Sequence, residues 1–153
     1  MITALALSLT ACATAAAALE LPNASMTPGA IASSDPVVVC QYGYASAHRN
    51  VAYAVRDRVY NEYGIPRGQR KGLRIDHLIP LETGGSNDER NLWPQPLAES
   101  RVKDRVEDEL HAAVCVRHTL TLVAAQAAIA RNWTATPVGL PAVREHHYPE
   151  DER

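Results

Sequence analysis

The residues best suited to chemistry lie in one segment, Arg74 to Trp93, which reads RIDHLIPLETGGSNDERNLW. Asp76 and His77 stand side by side at the end of a short apolar run, and Asn91 follows fourteen positions after His77. The glycine pair at residues 84–85 lies between them and is typical of a hairpin turn. A hairpin closed at that turn would bring Asn91 opposite the acid and the imidazole.

An adjacent carboxylate and imidazole match the needs of phosphodiester hydrolysis. The reaction requires an activated water, charge compensation at the phosphoryl oxygens and help for the departing oxygen. A neutral imidazole titrates near working pH, so His77 is the candidate general base. A divalent cation, magnesium or manganese, would serve the other two needs, with Asp76 as its first ligand. Asn91 would either orient the imidazole and its backbone or contact the metal through its amide oxygen.

A basic loop leads into this segment, and its position makes phosphate contacts a candidate role. Arg70, Lys71 and Arg74 are therefore candidate phosphate ligands, with a solvated surface run as the alternative. The formal net charge of the chain is -2, so a nucleic acid would be met through a local patch and not through a generally basic surface.

The hydrophobic pattern predicts the elements that would position these residues. Strands are predicted at 74–79 and 91–93, and Pro94 and Pro96 argue against a longer second strand. A helix is predicted from Leu97, with an apolar stripe formed by Val102, Val106, Leu110 and Val114. The order strand, loop, strand, helix predicts an α+β hairpin-plus-helix core. A short strand at 37–39 and helices at 50–63 and 121–133 are predicted to flank it.

The N-terminal part of the chain predicts export. Residues 1–19 are apolar and rich in small side chains, as in a secretory signal peptide. Cys12 follows Leu-Thr-Ala as in a bacterial lipobox, so lipidation at Cys12 and ordinary cleavage in the alanine-rich stretch are both open. Residues 20–36 are rich in Pro, Ser, Ala and Gly and predict a flexible linker. The predicted domain covers 37–143, and a polar tail covers 144–153.

Cysteine usage agrees with an exported protein. With Cys12 assigned to the signal, Cys40 and Cys115 remain as a pair that an oxidising compartment could join, with two unrelated buried thiols as the alternative. The expected location is the periplasm, a lipid anchor on the membrane, or the exterior of the cell.

The segment from Ile75 to Val114 resembles the HNH family of endonucleases, also called His-Me finger or ββα-metal nucleases. The resemblance is strongest in DHLIPLETGGSNDERNLWP, residues 76–94. It implies a ββα-metal core in which Asp76 binds the metal, His77 is the general base and Asn91 is the central asparagine. The chain also resembles a secreted or lipoprotein subgroup of small bacterial HNH proteins, through CQYGY at 40–44, KDRVE at 103–107 and the segment 125–133.

One position departs from the family. Its members carry a metal-binding histidine on the helix, where this chain has Glu99, Ser100 and Arg101. Glu99 is the candidate replacement ligand, with a helix-dipole role as its alternative. Coordination by Asp76, Asn91 and water is a further option.

The sequence thus predicts a monomeric, metal-dependent endonuclease acting on DNA, with RNA as the second choice. Two alternatives stay open. One is a non-catalytic envelope lipoprotein that uses the same scaffold for binding, and the other is a hydrolase of smaller phosphodiesters.

Overall fold

The computed structural model describes residues 19–136, which contain five α-helices and one two-stranded antiparallel sheet. The helices are α1 (Pro36–Val39), α2 (Tyr44–His48), α3 (Tyr53–Glu62), α4 (Leu97–His111) and α5 (Leu122–Asn132), and the strands are β1 (Leu73–His77) and β2 (Leu92–Pro96). The mixed α+β class is confirmed. Residues 1–18 of the predicted signal peptide (1–19), with the predicted lipobox cysteine Cys12, and the predicted polar tail fall outside the described residues. Between residues 19 and 136 no helix has the length and apolar character needed to cross a membrane.

The hairpin pairs β1 with β2, so that Leu73 lies opposite Pro96 and His77 lies opposite Leu92. The expectation that two prolines would end the second strand at Trp93 was wrong, because β2 continues through Pro94 to Pro96. A two-stranded sheet has only edge strands, and an edge strand accepts proline where its nitrogen needs no partner.

The valine run at 37–39 forms helix α1 instead of the predicted strand. The Asp35 side chain accepts a hydrogen bond from Val37 N at 2.9 Å, and Pro36 occupies the first turn. An N-cap and an N-terminal proline thus outweigh the β preference of valine. Helices α3 and α5 lie within the predicted helical segments, and Gly64, with φ +69°, follows the end of α3.

The core forms where α4 and α5 pack against the hairpin and the loop after β1. Its buried members are Val39, Leu78, Ile79, Trp93, Val106, Leu110, Val114, Leu122, Ala125, Ile129 and Trp133. The predicted apolar stripe of α4 is confirmed, with Val102 partly buried at its edge. A disulfide joins Cys40, after α1, to Cys115 in the π turn that extends α4, with the Cα atoms 5.4 Å apart.

Residues 20–36 differ from the flexible linker that their composition predicted, because they lie against the domain. Thr27 is buried and donates a hydrogen bond to Leu92 O at 2.9 Å. Gly29 N donates to Arg90 O at 2.9 Å. A segment poor in apolar residues is ordered here because the Thr27 hydroxyl finds a partner on β2 and the backbone of Gly29 finds one on the turn before β2.

Candidate active site

Asp76 and His77 end β1 and contact different elements. Side chains alternate along a strand, so two neighbours point to opposite faces. The Asp76 carboxylate faces α4, where it meets Lys103, while the His77 ring faces the loop before β2, where it meets Asn87. The two neighbouring side chains therefore have different surroundings.

The His77 ring is held by an oriented amide. Its Nε2 lies 2.8 Å from Asn87 Oδ1. The amide nitrogen of Asn87 donates to His48 O at 2.8 Å and to Asn50 O at 3.4 Å, so its oxygen must face the ring. A neutral His77 consequently carries its proton on Nε2, and Nδ1 keeps its lone pair. Within residues 19–136, no group is hydrogen-bonded to Nδ1.

Burial lowers the pKa of His77 below its ordinary value of 6.5. The hydrogen bond to Asn87 and the nearby Asp76 carboxylate raise that pKa, but they do not offset the loss of hydration. A neutral imidazole at physiological pH is the form that a general base requires.

Asn91 holds the loop that follows β1 and has no capacity left for a metal. The side chain is fully buried. Its Oδ1 accepts from Ile79 N at 2.9 Å and from Ala30 N at 3.4 Å, and its Nδ2 donates to Ile79 O and Ser86 O, both at 2.9 Å. Of its two predicted roles, support of the backbone next to His77 agrees with these bonds, whereas direct metal contact does not. Gly85 packs here, since a Cβ at that position would lie 1.9 Å from Ile79 O.

A buried ion cluster connects β1 to α4. Lys103 Nζ lies 2.9 Å from Asp76 Oδ2, an ion-pair contact without hydrogen-bond alignment. The same ammonium donates to His77 O at 2.6 Å and to Glu107 Oε1. On the other side of the carboxylate, Arg74 Nη2 lies 3.2 Å from Asp76 Oδ1.

The opposite charges of the cluster stabilise each other's ionised forms. Burial raises the pKa of Asp76, but Lys103 and Arg74 together bring it below its ordinary value of 3.8. Burial lowers the pKa of Lys103, yet Asp76 and Glu107 raise it above its ordinary value of 10.5. Both groups therefore stay ionised at neutral pH, since each charge is compensated inside the protein.

A divalent cation does not fit the Asp76 carboxylate in this arrangement. Both of its oxygens already face cations, Arg74 on one side and Lys103 on the other. From residue 19 to residue 136, no group of three or more His, Cys, Asp or Glu side chains could hold a metal ion. The metal-ligand roles predicted for Asp76 and Asn91 therefore find no support in the geometry.

Glu99 does not reach this cluster. Its Oε2 accepts from Glu20 N at 2.9 Å, so the side chain faces the N-terminal segment. The buried face of α4 carries Ser100, Lys103, Val106 and Leu110. Lys103, the first residue of the KDRVE segment, is the α4 residue that meets Asp76.

The three predicted phosphate ligands have different surroundings. Arg70 is held by Asp57 at 2.6 Å and lies over the Tyr60 ring, so it supports the loop after α3. Arg74 is occupied by Asp76 and by Asp104, the latter at 2.8 Å, although its side chain is 35% exposed. Lys71 is exposed, and no ion pair to another described residue is formed.

Two partly buried acids, Glu107 within the cluster and Glu82 near it, were not singled out from the sequence. Burial raises the pKa of Glu82 to about 8, and the Glu107 and Asp108 carboxylates add to the rise. Burial likewise raises the pKa of Glu107 to about 7, although Lys103 lowers it. Glu82 lines a cavity of about 290 Å³ between the loop after β1 and the start of α2, and its backbone oxygen lies 2.9 Å from His111 Nδ1.

A second hollow, of about 460 Å³, lies between α3 and the loop before β2. Asn87, the partner of His77, is among its lining residues, as are Arg58 and Arg90. The hollow therefore reaches the residue that contacts the imidazole, and His77 itself is not among its lining residues. The exposed Arg49, after α2, acts electrostatically on both His77 and Glu82.

Sequence signals existed for some of the missed residues. Lys103 and Glu107 have the i, i+4 spacing of a helical ion pair. Asn87 follows the glycine pair in a turn-rich stretch, but nothing in its spacing indicates that its amide turns toward His77.

Comparison with protein families, with curated proteins and with solved structures finds no match to this chain.

Proposed function

We propose that the protein hydrolyses phosphodiester bonds in nucleic acids, with His77 as the general base. The observation that carries the proposal is the Asn87 amide, which fixes the Nε2 proton and leaves Nδ1 for a water molecule. The order β1, loop, β2, α4 supports an HNH-like core around this histidine. DNA is the proposed substrate, and RNA is the second candidate.

The reaction divides between the described groups as follows. Nδ1 of His77 removes a proton from water as the water attacks phosphorus. Lys71 is an exposed cation for a neighbouring phosphate, and Arg74 adds charge beside Asp76. The bond from phosphorus to the departing oxygen breaks, and that oxygen takes up a proton from solvent water.

The test compares cleavage of plasmid DNA, RNA and a dinucleotide by the oxidised wild-type chain and by His77→Ala. Loss of a general base costs about 10²–10⁴-fold in rate, so we expect His77→Ala to fall within that range while the fold is kept. Asn87→Ala should lose less, because the imidazole remains but its tautomer and orientation are no longer fixed.

His118→Ala is the matched control, since that histidine is exposed and bonds only to Val114 O among the described residues. Equal cleavage by wild type and His77→Ala would exclude the assigned base. If folded wild-type protein leaves plasmid DNA, RNA and the dinucleotide intact in magnesium, in manganese and in EDTA, the non-catalytic scaffold is favoured.

We also propose that the chain is exported and acts as a monomer, with a lipid anchor at Cys12 as one form of export. Mass spectrometry of the protein made in a bacterial host distinguishes a lipidated Cys12 from cleavage further along the alanine-rich stretch. Centrifugation of the purified protein gives the oligomeric state.

A further inference from the structure

The Lys103 ammonium lies in a cage of three oxygens. Asp76 Oδ2 and Glu107 Oε1 are carboxylate oxygens, and the third is the backbone oxygen of His77. The ammonium donates to two of these oxygens, on His77 and Glu107, and makes an ion-pair contact with the third, on Asp76. Two carboxylates and a carbonyl are also the kind of oxygen set that proteins offer to hard divalent cations.

We infer that Lys103 takes the place of a divalent cation in this cluster, so that the native protein binds no such ion at Asp76. A second part of the inference rests on the proposed function. If the protein cleaves phosphodiesters, it does so without a metal ion at Asp76, and cleavage persists in EDTA.

Burial is the first argument. The Lys103 side chain is completely buried, so its charge serves the cage and not the substrate. An ammonium is removed from water only where fixed acceptors replace its hydration. The lysine is therefore a permanent part of the site and not a surface charge that a metal ion would displace.

Charge is the second argument. A divalent ion at Asp76 would lie beside the Lys103 ammonium and close to the Arg74 guanidinium, which is 3.2 Å from Oδ1. Two like charges at such short range repel strongly where water is excluded. Without Lys103, Arg74 would be left as the cation next to the Asp76 and Glu107 carboxylates, and their remaining negative charge would attract a divalent ion.

Position is the third argument. Lys103 also donates to His77 O, so the ammonium ties the backbone of the candidate base to α4. Lys103 is thus a positioning residue for His77. A metal ion held in the same cage would contact the same carbonyl, which is why it should replace this function when the lysine is removed.

The first experiment titrates the native chain with Mn²⁺ and follows the free ion by electron paramagnetic resonance. Wild type and Asp76→Asn should deplete free Mn²⁺ equally, whatever other weak sites the chain has. Binding to wild type that Asp76→Asn abolishes would overturn the inference. This comparison needs no variant at Lys103.

The second experiment uses Lys103→Ala, which opens the cage. We expect this variant to melt at a lower temperature and to bind Mn²⁺. Saturating Mn²⁺ should raise its Tm by about 5 °C or more, as ligand linkage predicts for a domain of this size. Lys103→Ala/Asp76→Asn should lose the response. Arg105→Ala, which removes an exposed charge from the same helix, should behave like wild type.

Folded Lys103→Ala that binds no Mn²⁺ would contradict the cage. If Lys103→Ala does not fold with or without Mn²⁺, the comparison of wild type with Asp76→Asn decides. In the cleavage assay, wild-type activity that disappears in EDTA would overturn the metal-free step. Absence of cleavage under every condition would remove the proposed function, while the Mn²⁺ measurements would still decide the nature of the cage.

Discussion

Replacing Asn91 by alanine should cost stability, because this amide completes the hydrogen bonding of a buried loop. Its oxygen accepts from Ile79 N, and its nitrogen donates to Ile79 O and Ser86 O, each at 2.9 Å. The backbone bonds of residue 91 itself, to Asp88 O and from Leu78 N, remain available in the variant. The loss is therefore confined to the side chain.

The magnitude follows from the groups left without a partner. Each buried backbone group that loses its hydrogen bond costs about 1–3 kcal/mol. Ile79 contributes both its N–H and its carbonyl, so Asn91→Ala should lose about 4 kcal/mol. With a urea dependence of about 2 kcal/mol/M, the unfolding midpoint should fall by about 2 M.

Urea denaturation followed by tryptophan fluorescence measures this loss, since Trp93 and Trp133 are both buried. Asn61→Ala is the comparison, because its hydrogen bonds to Arg70 and Asp57 are at the surface and should be worth about 1 kcal/mol or less. A midpoint for Asn91→Ala within error of wild type, together with lost cleavage, would refute the supporting role and restore a direct catalytic one.

Two further substitutions test the loop and its buried acid. Glu82→Gln should change the pH dependence of stability: the Glu82 pKa is raised from 4.5 to about 8, so its contribution is complete below 4.5 and is lost as the pH rises through about 8. Melting curves should therefore show Glu82→Gln gaining on wild type between about pH 5 and pH 9, and parallel curves would contradict the buried, protonated carboxyl. Gly85→Ala should lose more than about 3 kcal/mol in urea unfolding, because its Cβ would lie 1.9 Å from Ile79 O. Gly68→Ala, whose Cβ meets nothing within 4 Å, should stay within about 0.5 kcal/mol of wild type, and similar losses for the two would disprove the close packing.

Much of the fold could be predicted because local signals and tertiary packing agree. The apolar stripe from Val102 to Val114 has the period of a helix, and the structure buries it. The glycine pair separates two strands that do form a hairpin, although the turn between them includes two short 3-10 segments. The high β propensity of valine predicts a strand at the position of α1. The structure has a helix there because the Asp35 side chain caps it and Pro36 occupies its first turn.

The site was only partly predictable, for a geometric reason. Spacing identified His77 and Asn91, but it could not show which way each amide faces or which helix residue meets Asp76. The rotation of α4 about its axis decides that point, and it turns Lys103 inward while Glu99 bonds to Glu20. Helix boundaries predicted from sequence are uncertain by one or two residues. They therefore do not show which turn of α4 faces Asp76.

Trp133 Nε1 donates to Glu20 O at 2.9 Å, so the beginning of the described segment is attached to the end of α5. The backbone between them therefore describes an almost closed circuit. Its sequence could in principle be permuted, with a short bridge joining these two points and new ends opened in the exposed turn at Arg67–Gln69. In such a rearranged chain the Cys40–Cys115 bond would enclose a different stretch of backbone, while the imidazole, its amide and the lysine cage would keep the same neighbours.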